Sequence, residues 1–371
     1  MKIHTLTLED FRNYENEKIA FGPYTNVIYG DNAQGKTNLL EAVCLFSFGR
    51  SRRARSDAEL VRFGRKGFRL ELSFSDSARD YEAVMSMDAG GKKSIKINNV
   101  PITKLSRLLS YLNVVMFSPS ELDIVKGSPS VRRRFLDEAV SQLYPKYIAE
   151  LSEYHKALEQ KNGLLKLLRQ KRVKSDPMLS VWNEQLALHG ASVSLRRRSF
   201  LEELSGYAKQ LQLVISVEIL KIEYTPSLDC GIIKEDAVSE FYQKLENAQS
   251  REIDAGASLL GVQRDDIKIS IGQKEAKLYA SQGQQRTAVL SLKLAQTEYI
   301  RKQRGEYPVL LLDDIMSELD ISRRQFLYGR IKDKQVLLTT TDAENMSEDS
   351  ATRYYRISGG RLFNDVSAPG E

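Results

Sequence analysis

The sequence has very few cysteines and no long apolar run, and each absence excludes a class of protein. Two cysteines, Cys44 and Cys230, among 371 residues are too few for a disulfide framework or a cysteine-based metal site. No run of about 18 apolar residues occurs, so no membrane-spanning helix is expected. The first residues alternate like a β-strand and lack the apolar segment of a secretory signal. We therefore expect a protein of the reducing cytoplasm with no membrane partner.

A loop near the start of the chain gives the first positive indication of chemistry. Thr25–Tyr29 predicts a buried strand, and a helix is predicted from Lys36 onward. Between them lies Gly-x-x-x-x-Gly-Lys-Thr, whose backbone N–H groups and helix N-terminus suit a bound phosphate. A plain glycine turn is the alternative, but the full pattern favours nucleotide binding. The predicted nucleotide-binding residues of the loop are Gly30, Asp31, Asn32, Ala33, Gln34, Gly35, Lys36 and Thr37.

A second stretch near the other end of the chain completes the predicted site. An apolar run from Val309 to Leu312 predicts a strand buried on both faces, which ends in Asp313 and Asp314. Two carboxylates that merely cap a turn are the alternative. With Lys36 on the β- and γ-phosphates, the Thr37 hydroxyl and Asp313 are predicted to hold Mg²⁺. Asp314 is predicted to orient or deprotonate the attacking water, so the predicted catalytic residues are Lys36, Asp313 and Asp314.

A third segment predicts a second anion site. Ser281 precedes a helix predicted to reach about Arg301 and can cap its first turn, while Gly283 permits close approach of another group. One chain already has a phosphate site at Lys36. The simplest source of a second phosphate is therefore the nucleotide of a second copy of the chain.

Positive charge is concentrated in the middle of the chain. Residues 117–210 carry +5 of the formal net charge of +6. Each cluster alone is more often a solvated helix face, but the three together favour contact with a DNA backbone. No helix-turn-helix or zinc-finger pattern is present, so sequence-specific recognition is not indicated. The clusters are Arg132–Arg134, Lys166–Lys174 and Arg196–Arg198.

The order of patterns predicts an α/β fold with a helical insertion. Residues 1–116 and 255–371 are assigned to an ATPase head, and residues 117–254 to a mainly helical arm built on an antiparallel helix pair. A strand is expected over 214–224, and a strand pair with a turn at 358–361 near the end. The basic loop 50–55 is compatible equally with a solvated loop and with a phosphate-contacting segment.

The motifs resemble those of ABC-type ATPase heads, and further segments resemble the RecF family of bacterial DNA-repair proteins. The head motifs are Gly30–Thr37, Ser281–Gln285, Leu311–Asp314 and Ser317–Asp320. The family segments are Leu8–Tyr14, Gly127–Asp137, Gln263–Asp266 and Leu338–Asp342. The resemblance covers nearly the whole chain and implies a head with a mixed sheet, an antiparallel lobe and a short helical arm. No role is assigned to Gln263–Asp266.

The resemblance also implies partners and further site residues. ATP would drive homodimerisation, with the signature loop acting in trans through Ser281, Gln282, Gly283 and Gln284. Arg12 and Asn13 would contact nucleotide. The implied partners are single-stranded DNA, gapped or junction duplex DNA, RecO and RecR. The chain departs from transporter ATPases in two positions. No histidine follows strand 335–338, and Asp314 replaces the usual glutamate. The Asp314 side chain is one methylene shorter than glutamate, which predicts slow hydrolysis of ATP.

Two other classes of protein share the phosphate-loop pattern. A transporter ATPase subunit is the main alternative, although the basic insertion and the missing histidine argue against it. A small-molecule kinase or GTPase is the third, although an Asn-Lys-x-Asp guanine motif is absent and a kinase needs no signature loop.

Overall fold

The computed structural model describes residues 1–171, 176–341 and 351–365, which contain both β-strands and α-helices. The strands are β1 (Lys2–Phe11), β2 (Tyr14–Ala20), β3 (Thr25–Tyr29), β4 (Phe68–Ser75), β5 (Asp80–Met87), β6 (Lys93–Ile97), β7 (Val100–Pro101), β8 (Val114–Phe117), β9 (Leu220–Thr225), β10 (Asp266–Ile271), β11 (Lys274–Glu275), β12 (Val309–Asp313), β13 (Val336–Thr340), β14 (Arg353–Ser358) and β15 (Arg361–Asp365). The α-helices are α1 (Lys36–Phe48), α2 (Leu105–Leu108), α3 (Asp123–Lys126), α4 (Pro129–Leu143), α5 (Pro145–Lys171), α6 (Pro177–Ile215), α7 (Lys234–Ala255), α8 (Ala276–Tyr279), α9 (Gln282–Arg304) and α10 (Ile321–Ile331).

The chain divides into two units. Unit 1 contains Met1–Glu121 and Val289–Glu371, and unit 2 contains Leu122–Ala288. Residues 255–288, which the sequence assigned to the head, cluster with unit 2 and carry the predicted signature loop. Their assignment to the ATPase head therefore stays a prediction about function.

Unit 1 contains a parallel sheet with a short antiparallel edge, in the order β15-β14-β3-β13-β12-β8. Every residue of β12 and β13 is buried, as expected for parallel strands covered on both faces. Strand β13 lies between β3 and β12, with Leu338 beside Val27 and also beside Leu312. The turn predicted at 358–361 joins β14 to β15 at the sheet edge. This order brings the carboxyl ends of β3 and β12 to the same edge, as predicted.

A second sheet of unit 1 is antiparallel, in the order β2-β1-β4-β5-β6-β7. Leu6 in β1 lies opposite Ile19 in β2 and Leu72 in β4, and all three side chains are buried. Helix α1 contacts β4 of this sheet and β12 and β13 of the parallel sheet. Because α1 is apolar nearly all round, its burial between two sheets is the expected outcome.

Unit 2 is built on α5 and α6, which pack as the predicted antiparallel pair. Tyr147, near the start of α5, contacts Arg197 in the second half of α6, whereas Leu168 near the end of α5 packs with Leu179. Asp176 caps α6 by accepting from the Met178 N–H at 2.8 Å. A small sheet, β11-β10-β9, and helix α7 complete the unit. No helix in the described ranges is long and apolar enough to cross a membrane.

The strand predicted over 214–224 is wrong in its first half. Helix α6 continues through Ile215, and the strand begins only at Leu220. The alternation that suggested a strand includes Val214 and Val217, which are exposed. Only Leu220 and Ile222 bury their side chains, so the tertiary contacts that select a strand begin there.

Candidate nucleotide site

The phosphate loop connects β3 to α1 as predicted. Gly30 and Gly35 have φ values of 145° and 120°, in the region that favours glycine. A Cβ on Gly30 would lie 2.2 Å from the backbone oxygen of Ile357 in β14, so no larger residue fits without movement. Asp31, Asn32 and Ala33 form the exposed rim of the loop. The loop therefore combines the glycine conformations and the exposed backbone that a phosphate-binding turn requires.

The loop is braced from two sides by backbone and side-chain hydrogen bonds. Asn13 Nδ2 donates to the Gln34 oxygen at 2.7 Å, and the Tyr14 hydroxyl donates to the Gly35 oxygen at 2.9 Å. From the β14–β15 turn, the Gly360 N–H donates to the same Gln34 oxygen at 3.2 Å. The turn after β1 and the turn before β15 thus hold the loop between them.

Lys36 folds back across the loop that precedes it. Its Nζ donates to the backbone oxygens of Gly30 at 2.6 Å and Asp31 at 2.8 Å. Burial lowers the pKa of Lys36, while Asp314, Asp313 and Asp31 act in the opposite direction. The ammonium is therefore held at the mouth of the loop, where a phosphate chain would need a positive charge.

One oxygen of Asp313 joins the phosphate-loop helix to two strands. The hydroxyls of Thr37 and Thr339 each donate to Asp313 Oδ1 at 2.8 Å. The two halves of the predicted site, which are far apart in sequence, therefore meet at a hydrogen-bond distance. A carboxylate and a hydroxyl suit Mg²⁺, which keeps several waters and takes few protein ligands. The donor set fits the metal that the sequence predicted.

Asp314 occupies a strained backbone position beside Asp313. Its φ is 50°, and its N–H donates to the oxygen and the hydroxyl of Thr339 at 3.2 Å and 3.0 Å. Burial raises the pKa of Asp314, Lys36 opposes that rise, and Asp313 adds to it. Non-glycine residues with positive φ persist where the surroundings enforce them, often at functional sites. The two hydrogen bonds to Thr339 therefore fix the backbone of Asp314 directly after β12.

Arg12 and Asn13 lie beside the loop, in the turn between β1 and β2. Arg12 forms a bidentate pair with Glu41 of α1, with both N–O distances at 2.8 Å. Asn13 accepts from Asn38 Nδ2 at 2.9 Å. Both residues therefore position the phosphate loop and its helix, and their predicted contact with nucleotide stays a prediction.

The basic loop 50–55 makes contacts within unit 1. Arg52 pairs with Glu121 at 2.7 Å, and Arg53 Nη1 donates to Asn38 Oδ1 at 3.0 Å. Glu121 is buried and also pairs with Lys293 of α9 at 3.0 Å. These partners give Arg52 and Arg53 structural roles, which neither of the two sequence-based interpretations included.

The predicted signature loop in unit 2 begins α9 with a reciprocal cap. The Gln284 N–H donates to Ser281 Oγ at 3.2 Å, and the Ser281 N–H donates to Gln284 Oε1 at 2.8 Å. Gln284 also donates to Glu218 at 2.6 Å. Ser281 and Gln282 are exposed, and Gly283 is half-buried. The predicted capping role of Ser281 is confirmed.

The basic clusters of unit 2 are only partly available to a partner. Arg132 is buried in a bidentate pair with Asp266, and Arg197 is buried between Asp137 and Asp265. The exposed members of the clusters are Arg134, Lys166, Arg169, Lys171 and Arg196. Residues 172–174 of the second cluster, and Asp342, lie outside the described residues. Two arginines that the sequence offered for DNA contact therefore hold unit 2 together.

Comparison with known proteins decides the family. Residues 2–360 match the model described as the RecF/RecN/SMC N terminal domain. The DNA replication and repair protein RecF of Staphylococcus carnosus is 40% identical over 98% of this chain and 100% of its own length. RecF of Acetivibrio thermocellus is 39% identical over 98% of this chain and 100% of its own length. The chain belongs to the RecF family of DNA replication and repair proteins.

Solved RecF structures share the whole fold. The recombination mediator protein RecF-ATPrS of the RecFOR pathway has a TM-score of 0.92 and 32% identity, over 98% of each chain. The corresponding RecF-ATP structure has a TM-score of 0.91 and 32% identity, over 98% of this chain and 97% of that one. An Smc head bound to the C-winged helix domain of ScpA has a TM-score of 0.59, and the match covers 100% of this chain and 98% of that one. Because the two sequences are only 15% identical, this match supports the fold alone.

These matches confirm several sequence-based predictions. The fold is that of an ABC-type ATPase head with a helical insertion, and the RecF family is a family of such ATPases. The comparisons support the DNA-repair hypothesis and not the transporter alternative. They do not test the roles of individual site residues, which stay predictions.

Glu41 and Thr339 were missed as parts of the site. Thr339 directly follows the predicted strand 335–338, and its hydroxyl shares the Asp313 oxygen with Thr37. Glu41 lies among apolar residues of α1 and is buried. Because acids are rarely buried without a partner, an acid in an apolar helix was the one sequence signal of a structural role for Glu41. Its partner Arg12 lies in another element, so sequence spacing could not reveal the pair.

Proposed function

We propose that this chain is an ATP-dependent DNA-binding protein of recombinational repair in the cytoplasm. ATP with Mg²⁺ binds the phosphate loop and closes a homodimer on DNA, and slow hydrolysis reopens it. The observation that carries the proposal is the 2.8 Å hydrogen bond from Thr37 to Asp313, since it brings the phosphate loop and the end of β12 together in one unit. Full-length similarity to RecF structures that include RecF-ATP supports ATP as the nucleotide.

Within the site, Lys36 neutralises charge on the β- and γ-phosphates. Its ammonium has three N–H donors, of which two point to loop carbonyls, so one remains for a phosphate oxygen. Thr37 and Asp313 would hold Mg²⁺, and the metal, when bound, would supply further neutralisation of phosphate charge. Asp314 positions the attacking water, and its shorter side chain relative to glutamate keeps turnover slow.

The signature loop acts in trans on the nucleotide of the partner subunit. The exposure of Ser281 and Gln282 at a capped helix N-terminus supports this role, because N–H groups there attract an anion. ATP shifts the population toward the dimer because only the closed form makes the second set of phosphate contacts.

DNA is the proposed macromolecular ligand, as single strands and as gapped or junction duplex. Exposed cations of unit 2 support backbone contact without sequence recognition. Participation with RecO and RecR follows from the similarity to RecF of the RecFOR pathway. Arg12 and Asn13 are proposed to contact the nucleotide from the turn between β1 and β2.

The test is molecular mass in solution with and without ATP, with single-stranded and gapped DNA added in a second series. We expect ATP to shift the wild-type protein from monomer to dimer, and DNA to join the dimer. Lys36→Ala should abolish ATP binding, and Asp314→Asn should bind ATP and remain a closed dimer. Ser281→Arg should bind ATP but stay monomeric.

Each variant has an outcome that contradicts its assigned role. Normal hydrolysis by Asp314→Asn would remove that residue from water positioning. An ATP-induced dimer of Ser281→Arg would argue against action in trans. A wild-type protein that stays monomeric at saturating ATP and ignores DNA would refute the whole proposal.

A further inference from the structure

A surface cavity in unit 2 has the size of a ligand site. Its volume is about 700 Å³, within the range of pockets that enclose small molecules or peptide side chains. The walls come from the end of α4 and the start of α5, from one face of α6, and from the segment that leads into α7. The cavity therefore depends on the packing of the arm helices and contains none of the nucleotide-site residues.

The apolar part of the cavity contains aliphatic side chains from all three walls. These are Leu143, Pro145, Leu195 and Ile232. Ile232 is 80% exposed, and the adjacent Ile233 is 62% exposed. Exposed apolar residues that are contiguous with an apolar cavity are a feature of interaction surfaces. The cavity thus offers a place for an apolar side chain of a partner.

The polar part of the cavity carries cations without carboxylate partners. In the described ranges, no carboxylate lies within 4.0 Å of Lys146, Arg196 or Lys234. Arg196 instead stacks on the Tyr144 ring, with 4.2 Å from its guanidinium carbon to the ring centroid. Glu202 also lines the cavity, so these three cations exceed it in charge.

Two other charged groups of the lining already have partners. Arg198 pairs with Asp229 at 2.6 Å, and Glu150 contacts His189 at 2.5 Å. The remaining excess of positive charge selects an acidic ligand, while the aliphatic side chains select an apolar anchor.

We propose that this cavity binds an acidic peptide segment of a partner protein. One aliphatic or aromatic side chain of the segment enters the apolar floor, and flanking carboxylates pair with Lys146, Arg196 and Lys234. A nucleic-acid strand fits the cavity less well. Aliphatic side chains offer a base no stacking face, and Arg196 covers one face of Tyr144.

Fluorescence anisotropy of the full-length protein tests the proposal with three labelled probes. The first is a short peptide of Asp and Glu with one central Phe, the second has Ser in place of Phe, and the third is oligo(dT). We expect the Phe peptide to bind more tightly than the Ser peptide. In the Arg196→Glu/Lys234→Glu variant, affinity for the Phe peptide should fall at least about tenfold.

The matched control is Lys166→Glu/Lys209→Glu, which reverses two exposed charges of unit 2 outside the cavity. It should leave peptide affinity within about twofold of wild type, because distant surface charges are screened. Ser199→Trp fills the cavity without changing charge and should abolish the advantage of the Phe peptide. Circular dichroism confirms that each variant is folded.

Four outcomes would overturn the proposal. The first is no peptide binding by the wild-type protein, and the second is equal binding of the Phe and Ser peptides. The third is an equal loss of peptide affinity in both double variants. The fourth is loss of oligo(dT) binding in Arg196→Glu/Lys234→Glu with peptide binding unchanged, which would make the cavity part of the DNA-binding surface.

Discussion

Replacing Arg197 with methionine should destabilise unit 2 strongly. The Arg197 side chain is 2% exposed, and its guanidinium lies 2.8 Å from Asp265 Oδ2 and 2.8 Å from Asp137 Oδ1. It also donates to the backbone oxygen of Val262 at 2.8 Å. Burial raises the pKa of Asp265 even though Arg197 acts to lower it, so desolvation of this carboxyl is costly. Arg197→Met would leave that carboxyl without its cation.

The magnitude follows from what remains after the substitution. Removing one partner of a buried ion pair costs about 3–5 kcal/mol, since the other charge stays buried. Asp265 keeps hydrogen bonds from Tyr224 and Ser227, and Asp137 is 20% exposed and can hydrate. We therefore expect Arg197→Met to lower the free energy of unfolding by about 3 kcal/mol, the lower end of that range.

The neighbouring residue supplies a matched control. Arg196→Met removes a guanidinium from an exposed position, where it stacks on Tyr144. This change should lower the free energy of unfolding by no more than about 1 kcal/mol. The single tryptophan, Trp182, lies in α6, so its fluorescence reports unfolding of unit 2. With a urea m-value of about 1–3 kcal/mol/M, Arg197→Met should lower the midpoint by about 1–3 M. A shift no larger than that of Arg196→Met would refute the argument.

Three further substitutions test the nucleotide site and the signature helix. Gly30→Ala should abolish ATP binding measured by calorimetry, because its Cβ would meet the Ile357 oxygen at 2.2 Å; wild-type affinity would contradict the loop geometry. Thr339→Val keeps the buried shape but removes a hydrogen bond to Asp313, so the Mg²⁺ concentration for half-maximal hydrolysis should rise about tenfold or more, and an unchanged requirement would exclude that role. Ser281→Ala should cost about 1 kcal/mol in a urea titration through loss of the cap, whereas Gln282→Ala should cost little.

The site could be predicted from local motifs, because each motif depends on residues that are close together in the sequence. The phosphate loop needs glycines and a helix start within a few residues, and the Asp313 strand needs an apolar run that ends in acids. Ser281 directly precedes a predicted helix and can cap its first turn whatever the tertiary structure. These features could be predicted, and the structure places Thr37 and Asp313 together accordingly.

The ion pairs between distant elements of unit 2 could not be predicted. Arg132 and Arg197 look like members of surface clusters, yet each meets an aspartate of the segment Gln263–Asp266, to which the sequence assigned no role. That segment holds α4 and α6 to the start of β10. A charge run in a sequence shows how many cations are present, but only tertiary contacts show which of them are neutralised.

The charges of the nucleotide site are held apart by neutral partners. Within the described ranges, no ion pair within 4.0 Å joins Lys36 to Asp313 or Asp314. Lys36 is tied to loop carbonyls, and Asp313 Oδ1 accepts from two hydroxyls, so neither charge is neutralised by the other. Direct pairing would make each group a poor partner for a metal–triphosphate complex, because the pair would have to be broken first. The hydrogen bonds from Thr37 and Thr339 to Asp313 therefore keep the carboxylate apart from the Lys36 ammonium, and a separated anion and cation would suit the metal–triphosphate complex that we propose as the ligand.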